Sequence, residues 1–283
     1  MRITDNTYNL SGEAYGALGE VYAARTDQGV ILIDCGSPET GYANVKENLA
    51  SCGLAGARIS HVILTHGHWD HCGSAKSFQD DGAVIIVGQE DSFMCVNGGN
   101  GGLDTPHDVD EHIYPAFKPD IEIKEDSEME ISGLMFGFIK IPGHTAGSTA
   151  VLLTVDQKTF LFTGDALQPS GAYHIDGITF GWQGDINFSR ENIISSMNKL
   201  LRKVTADCIL PGHGAVCRHS AAQGGADRFR HIKVNLSAPQ HRRDKALKFS
   251  LDIYNARERQ ICLSRAFFIS FFDDGGLAIE GSY

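Results

Sequence analysis

Apolar and polar positions near the start of the chain follow a pattern typical of a hairpin and then a helix. Val21–Ala24 and Val30–Ile33 are apolar runs that flank Asp27–Gly29, a triplet suited to a tight turn. Residues 40–52 carry apolar side chains one helical turn apart, which predicts an amphipathic helix. The chain therefore opens with paired strands followed by a helix.

Similar apolar runs continue along the chain. They predict strands over residues 61–65, 83–87, 121–126, 128–132, 134–141, 149–155, 159–163 and 208–210. A short helix is expected near residues 73–79, and a longer one from Ser189 to about Lys203, where Ser189 suits the N-cap and Glu191 the first turn. Two groups of strands with helices outside them predict an α+β fold, a four-layer αββα sandwich.

Four of the predicted strands run into a side chain that can bind a metal ion, and each has a glycine beside it. Residues 65–71 read THGHWDH, which places three imidazoles and a carboxylate within six positions. Groups packed so closely would repel or lose hydration without a cation among them. The other three segments end at His144, Asp165 and His213. Because strand ends meet at one rim of a sheet, these side chains predict a divalent metal site.

The order of these motifs, THxHxDH, PGHT, TGD and PGHG, resembles the metallo-β-lactamase-fold hydrolase superfamily over residues from about 20 to 215. The resemblance implies the four-layer αββα sandwich and a site for two divalent ions, most readily zinc, with iron or manganese as alternatives. The ligands it implies are His66, His68 and His144 for the first ion, Asp70, His71 and His213 for the second, and Asp165 as a bridge.

The resemblance also implies a reaction. Two metal ions roughly 3.5–4 Å apart can bind a bridging hydroxide near neutral pH, and this hydroxide attacks a carbonyl or phosphoryl centre. Asp70 faces the second ion in this scheme, so we expect it to be the catalytic residue that orients the nucleophile and handles a proton.

Departures from individual branches narrow the expected reaction. Glyoxalase II shares Trp69 in its first motif, but Ala166–His174 lacks that enzyme's F-x-x-G-C-G-R/K segment for glutathione. Asp165 is usually absent from true β-lactamases of this fold. The sequence therefore favours hydrolysis of a thioester, lactone or carboxylic ester. The alternatives are a phosphodiesterase-type or sulfate ester hydrolase, a non-haem iron redox enzyme like the persulfide dioxygenases, and a non-catalytic metal-binding protein.

Composition bears on partners and location. The net charge of −11 argues against a nucleic acid or an anionic membrane as partner, so a small-molecule substrate is expected. The N-terminus has no apolar signal segment and no stretch approaches 18 apolar residues, which predicts a cytoplasmic protein. Seven scattered cysteines without a C-x-x-C pair indicate reduced thiols.

Two segments between the predicted strands lie outside the core pattern. Residues 97–120 form a long glycine-rich loop, and loops of this length tend to be either functional lids or disordered. Residues 168–187 follow Asp165 and contain the candidate substrate-binding residues Tyr173, His174 and Trp182.

The domain boundary is expected near residue 218. Residues 1–218 would form the hydrolase domain, and residues 219–283 a helical extension packed on it, with the helix over 219–260. The apolar run Ala266–Phe272 is unsuited to water. We expect it to pack on the core or on a second copy of the chain, which would make the protein a homo-oligomer.

Overall fold

The computed structural model describes residues 1–12, 18–99, 113–167, 188–214, 217–218, 247–250, 266–271 and 277–281. The first half of the chain builds a six-stranded sheet in the order β1-β2-β3-β4-β5-β6. Its strands are β1 (Thr7–Asn9), β2 (Tyr22–Thr26), β3 (Gly29–Ile33), β4 (Ile59–Ile63), β5 (Val84–Gly88) and β6 (Ile121–Ile123). Strands β1, β2 and β3 pair antiparallel, and from β3 onward each strand pairs parallel with the next. The predicted hairpin over residues 21–33 is thereby confirmed.

The second half builds another six-stranded sheet in the order β12-β11-β10-β9-β8-β7. Its strands are β7 (Ser127–Ile131), β8 (Leu134–Lys140), β9 (Thr149–Val155), β10 (Lys158–Gly164), β11 (Cys208–Pro211) and β12 (Cys217–Arg218). Only β10 and β11 pair parallel, because helix α5 (Arg190–Lys203) connects them.

The other described helices belong to the first half of the chain. They are α1 (Gly41–Ser51), α2 (Trp69–Cys72), α3 (Ala75–Asp80) and α4 (Ser92–Asn97), with a 3₁₀ turn at Gln89–Asp91. Helix α1 buries Val45 and Leu49, as the spacing predicts. Ser189 is the N-cap of helix α5, and its side chain accepts a hydrogen bond from the Asn192 backbone N–H at 3.2 Å.

Alternate residues of each strand pack into different layers. Ile31 and Ile33 face the second sheet, where they join a buried cluster with Phe136 and Phe160. Leu32 points the other way, into a cluster with the helices α1 and α3. Helix α5 covers the outer face of the second sheet, as shown by the cluster that contains Ile193, Met197, Leu200, Ala150 and Leu161. The layer order is helix, sheet, sheet, helix, so the predicted αββα sandwich is confirmed.

The C-terminal region differs from its prediction where it is described. Residues 247–250, expected within a helix, form β13 (Leu247–Ser250), which pairs with β14 (Ala266–Phe271) and through it with β15 (Leu277–Gly281). The predicted helix is therefore wrong at 247–250. The physical reason is the apolar–polar alternation LKFS, which has the two-residue period of a strand beside an aromatic-rich partner. The packing of this extension on the hydrolase domain, or on a second copy, stays a prediction.

Among the helices that the structure describes, none combines the length and the apolar character that a bilayer crossing requires.

Candidate metal centre

The four predicted motifs follow strands of both sheets. The segment after β4 leads into residues 65–71, and the segments after β8, β10 and β11 lead to His144, Asp165 and His213. Two backbone hydrogen bonds join these loops: the Thr149 N–H donates to the Thr65 carbonyl at 2.8 Å, and the Gly212 N–H donates to the Gly164 carbonyl at 2.8 Å. The loops of the two sheets thus meet at one place.

Three imidazoles form the first cluster. The Nε2 atom of His144 lies 2.9 Å from Nδ1 of His68 and 3.2 Å from Nε2 of His66. All three side chains are buried. Ligands about 2.0–2.1 Å from a tetrahedral ion are roughly 3.4 Å from one another, so nitrogens at this spacing suit a single metal ion.

Two imidazoles and a carboxylate form the second cluster. The Nε2 atoms of His71 and His213 lie 3.3 Å apart. Oδ2 of Asp70 lies 3.1 Å from Nε2 of His213 and 3.6 Å from Nε2 of His71. Asp70 is the most exposed of the seven predicted ligands, with 14% of its side chain accessible, so this cluster is the one that opens toward solvent.

Asp165 lies between the two clusters. Its Oδ2 atom is 3.6 Å from Nε2 of His144 in the first cluster and 3.3 Å from Nε2 of His213 in the second. Its Oδ1 atom lies 3.3 Å from Nε2 of His71. A carboxylate that contacts both sets of nitrogens has the position of a bridging ligand. The structure therefore brings all seven predicted ligand residues together.

Charge differs between the clusters. Burial, and then the neighbouring imidazoles His71, His144 and His68, hold the pKa of His66 well below its usual range, so this ring is neutral and able to bind a metal. Burial alone would lower the pKa of His213, but the charge of Asp165, and the hydrogen bonds that the ring donates to Asp165 and Asp70, raise it to about 10.

The pKa values of the two carboxyl groups are shifted downward. Burial alone would raise the pKa of Asp70, but the charges of His71 and His213 lower it to about 2. Burial likewise opposes ionisation of Asp165, yet His213 and His71 hold its pKa well below the usual value. Both carboxylates are ionised at neutral pH, and their negative charges favour a bound cation once the neighbouring imidazoles have lost their protons.

The sequence interpretation missed the groups that hold the ligands in place. Asp34, at the end of β3, is buried and accepts hydrogen bonds from Nδ1 of His71 at 2.9 Å and from both the backbone N–H and the hydroxyl of Thr65 at 2.7 Å. Thr65 Oγ1 in turn lies 3.1 Å from Nδ1 of His66. The signal that could have found Asp34 is the one used for the ligands, because Asp34 also follows an apolar strand and lies two residues before Gly36.

Two glycines allow the close approach of the loops. Gly164 has φ of +49°, and a Cβ atom there would lie 2.6 Å from Oγ1 of Thr65. A Cβ atom on Gly212 would lie 2.1 Å from Oδ1 of Asp165 and 2.8 Å from Cε1 of His71. The glycines predicted beside the ligands therefore leave room for the ligands themselves.

The candidate substrate-binding residues Tyr173, His174 and Trp182 lie outside the residues that the structure describes, as does most of the predicted loop at 97–120. Their proposed contact with substrate stays a prediction.

Known proteins share this architecture. The chain is 28% identical over 207 residues to the uncharacterized protein YobT of Bacillus subtilis, which covers 70% of this chain and 83% of that protein. It is 30% identical over 161 residues to the hydroxyacylglutathione hydrolase GloC of Haemophilus influenzae, over 54% of this chain and 68% of GloC. Both alignments involve a large part of the related protein.

Solved structures give the same fold. The subclass B3 metallo-beta-lactamase BJP-1 of Bradyrhizobium japonicum superposes with a TM-score of 0.58 and 24% identity, over 75% of this chain and 76% of that one. The sequence model of the metallo-beta-lactamase superfamily, whose members are mostly metal-dependent hydrolases, matches residues 16–213, well over half of the chain. The fold implies divalent metal binding, and the His and Asp groups described above can supply it. The chain therefore belongs to the metallo-beta-lactamase superfamily.

Proposed function

We propose that the protein is a hydrolase that uses two divalent metal ions, most readily zinc, to cleave an ester-type bond in a thioester, a lactone or a carboxylic ester. One observation carries the proposal: Asp165 lies between an all-imidazole cluster and a cluster that contains a second carboxylate, Asp70. This arrangement suits two ions that share one ligand, and a shared ligand holds the ions close together.

The division of the ligands between the two ions follows the one that the family resemblance implies, and two of the three close groups in the structure agree with it. His66, His68 and His144 would hold the first ion, Asp70, His71 and His213 the second, and Asp165 both. When bound, such a pair of ions supplies an acidified water molecule and stabilises negative charge that develops on the oxygen of the attacked carbonyl.

The roles of the protein's own groups follow from burial and charge. Six of the seven ligand side chains are buried, so the ring nitrogens are held away from bulk water and stay in place. Asp70 is partly exposed and ionised, so its carboxylate can accept a hydrogen bond from a water molecule at the open side of the site. We assign Asp70 the orientation of the attacking water and the transient acceptance of its proton.

The bond type is supported by relatedness and by electrostatics. GloC is named a hydroxyacylglutathione hydrolase, and a hydroxyacylglutathione is an acyl thioester. The segment Ala166–His174 departs from the glutathione-binding pattern of glyoxalase II, so an acyl ester with a different leaving group fits this chain better. The net charge of −11 disfavours a polyanionic phosphodiester, such as a nucleic acid, as the substrate.

The test is a hydrolysis assay of the full-length protein before and after metal removal. A chelator-treated sample, the same sample with Zn²⁺ restored, and an Asp165→Ala variant would be assayed on a thioester, a lactone, an aryl ester and a phosphodiester. We expect activity on at least one of the first three substrates, lost with the metal and regained with it. Cleavage of the phosphodiester alone would favour the phosphodiesterase alternative. Oxygen consumption with bound iron and without hydrolysis would contradict the proposal.

A further inference from the structure

A buried carboxylate outside the seven ligands connects the two loops that supply the first cluster. Asp91 ends the 3₁₀ turn after β5 and its side chain is fully buried. Its Oδ2 atom accepts hydrogen bonds from the Gly67 backbone N–H at 2.9 Å and from Oγ1 of Thr145 at 2.7 Å. Its Oδ1 atom accepts one from the Gly147 backbone N–H at 2.6 Å. Both oxygens of this buried carboxylate are therefore in use.

The three donors occupy particular places in the chain. Gly67 lies between His66 and His68, in the loop of the first sheet. Thr145 follows His144 directly, in the loop of the second sheet. One carboxylate thus connects the loop that carries two of the first-cluster imidazoles to the loop that carries the third.

The backbone of these loops packs tightly against Asp91 and its neighbours. A Cβ atom on Gly147 would lie 2.5 Å from Cγ of Asp91. A Cβ atom on Gly67 would lie 2.7 Å from Cε of Met94, which belongs to helix α4, directly after Asp91. A Cβ atom on Gly88 would lie 2.0 Å from the Gly147 carbonyl oxygen. Because the backbone packs directly against Asp91, removal of the Asp91 carboxylate would leave the buried N–H groups of Gly67 and Gly147 without an acceptor.

We propose that Asp91 is a positioning residue that sets the spacing of His66, His68 and His144 and so the affinity of the first metal ion. This inference rests on the proposed function, since it assigns those three imidazoles to an ion. Asp91 is linked to these rings by its hydrogen bonds to the Gly67 backbone and to Thr145, and its charge also interacts with His68. The second cluster gains none of these three contacts.

The informative substitution is Asp91→Asn, which keeps size and shape. An Asn side chain has one acceptor oxygen and one NH₂ donor, so at least one of the three donors now faces another donor. The loops must then separate or a buried N–H must stay unpaired. A separation of the loops would alter the 2.9 Å and 3.2 Å nitrogen spacings of the first cluster, and an unpaired N–H would favour that separation.

Co²⁺ titration of the full-length, metal-free protein tests this, with the visible absorption of bound Co²⁺ as the signal. His213→Ala weakens the second cluster, so that Co²⁺ binding reports on the first. His68→Ala weakens the first cluster, so that Co²⁺ binding reports on the second. We expect Asp91→Asn to lower Co²⁺ affinity about tenfold or more in the His213→Ala background and less than about threefold in the His68→Ala background, since loss of a supporting contact typically costs 10–100-fold.

Asp156→Asn is the matched control. Asp156 also accepts three hydrogen bonds, from the Thr4 hydroxyl and from the backbone and side chain of Asn6, at 2.7 Å each, but none of these donors belongs to a metal loop. We expect it to leave Co²⁺ affinity within about threefold in both backgrounds. If Asp91→Asn does not fold, Thr145→Val removes one of the donors and should weaken the first cluster in the same direction.

The outcomes separate the two proposals. An equal loss of affinity in both backgrounds would show that Asp91 only stabilises the fold, and unchanged affinity in the first cluster would also overturn the inference. Each result leaves the proposed function intact as long as the unmodified protein binds two Co²⁺ ions. If the unmodified protein binds no Co²⁺, the proposed function fails and the inference fails with it.

Discussion

The Oδ2 atom of Asp34 lies 2.9 Å from the Nδ1 atom of His71, and both side chains are buried. This contact places the proton of a neutral His71 ring on Nδ1 and directs Nε2 toward His213 and Asp165. The same carboxylate accepts hydrogen bonds from Thr65, the residue before His66. Asp34 therefore fixes the orientation of a second-cluster imidazole and the start of the first-cluster loop.

Asp34→Asn should weaken metal binding. If its oxygen keeps the Thr65 N–H, the new NH₂ group faces Nδ1 of His71 and favours the ring tautomer with a proton on Nε2, which cannot bind an ion. Residue 34 has φ of +58°, which Asn tolerates as well as Asp, so backbone strain does not complicate the comparison. We expect Zn²⁺ affinity, measured by competition with a chelating dye, to fall about 10–100-fold.

Asp81→Asn is the control for that variant, because Asp81 is an exposed carboxylate whose described partners, the Tyr42 hydroxyl and Lys46, are not predicted ligands. It should leave Zn²⁺ affinity unchanged. Equal affinities for the Asp34→Asn variant and the unmodified protein would show that Asp34 does not orient His71 for metal binding.

Gly212→Ala should disturb the bridge between the clusters. The added Cβ atom would lie 2.1 Å from Oδ1 of Asp165, far inside van der Waals contact, so the carboxylate or the His213 loop must move. We expect the variant to retain fewer than two Zn²⁺ ions per chain after dialysis. Gly53→Ala is the control: a Cβ there meets nothing within 4 Å, and φ of +78° makes the substitution cost about 1 kcal/mol of stability without changing metal content. Two retained ions in Gly212→Ala would contradict this account of the bridge.

Metal binding should release protons. The charges of Asp70, Asp165 and Asp34 outweigh burial and raise the pKa of His71 well above its usual range, and the pKa of His213 is raised to about 10. Both rings of the metal-free protein are thus protonated at neutral pH, and each must lose its proton to bind an ion. A raised pKa means that protons compete with metal below that pKa, so affinity should rise with pH until about pH 10.

Calorimetric titration with Zn²⁺ in buffers of different ionisation enthalpy measures this release. We expect about two protons from these imidazoles per chain at pH 7, beyond any proton lost from bound water. Release close to zero, with an affinity independent of pH between 6 and 8, would show that the two rings are already neutral in the metal-free protein.

Asp70→Asn separates metal binding from catalysis. The amide keeps one oxygen that can bind an ion but is a much poorer proton acceptor, so at saturating Zn²⁺ the variant should hold its metal and lose turnover by about 100-fold or more. Metal content and kcat would be measured on the same sample, with the best ester substrate. Full metal content with full turnover would remove Asp70 from the proton-handling role.

Local patterns account for what could be predicted from the sequence. Each of the motifs at His66, His144, Asp165 and His213 combines an apolar strand, a glycine and a ligand within a few residues, so both the strand and the ligand are visible locally. The four layers follow from strand alternation and helix spacing. Among the described residues, the helix prediction was wrong at 247–250, a short run without any such combination.

The supporting groups could not be predicted because their roles depend on pairings between distant parts of the chain. Asp91 has no local pattern that marks it, and its importance comes from contact with Gly67 and Thr145, which only the packing of the two sheets brings together. Asp34 had a local signal, but its partner His71 lies on a short helix in a different segment. Side-chain networks that cross layers are set by tertiary contacts rather than by periodicity.

The number of metal ions per chain tests the central claim most directly. The full-length protein and its Asp165→Ala variant would be loaded with Zn²⁺, dialysed against metal-free buffer and analysed by inductively coupled plasma mass spectrometry and native mass spectrometry. A bridging Asp165 predicts two ions in the unmodified protein and one or fewer in the variant. A single ion in the unmodified protein, or two ions kept by the variant, would contradict the account.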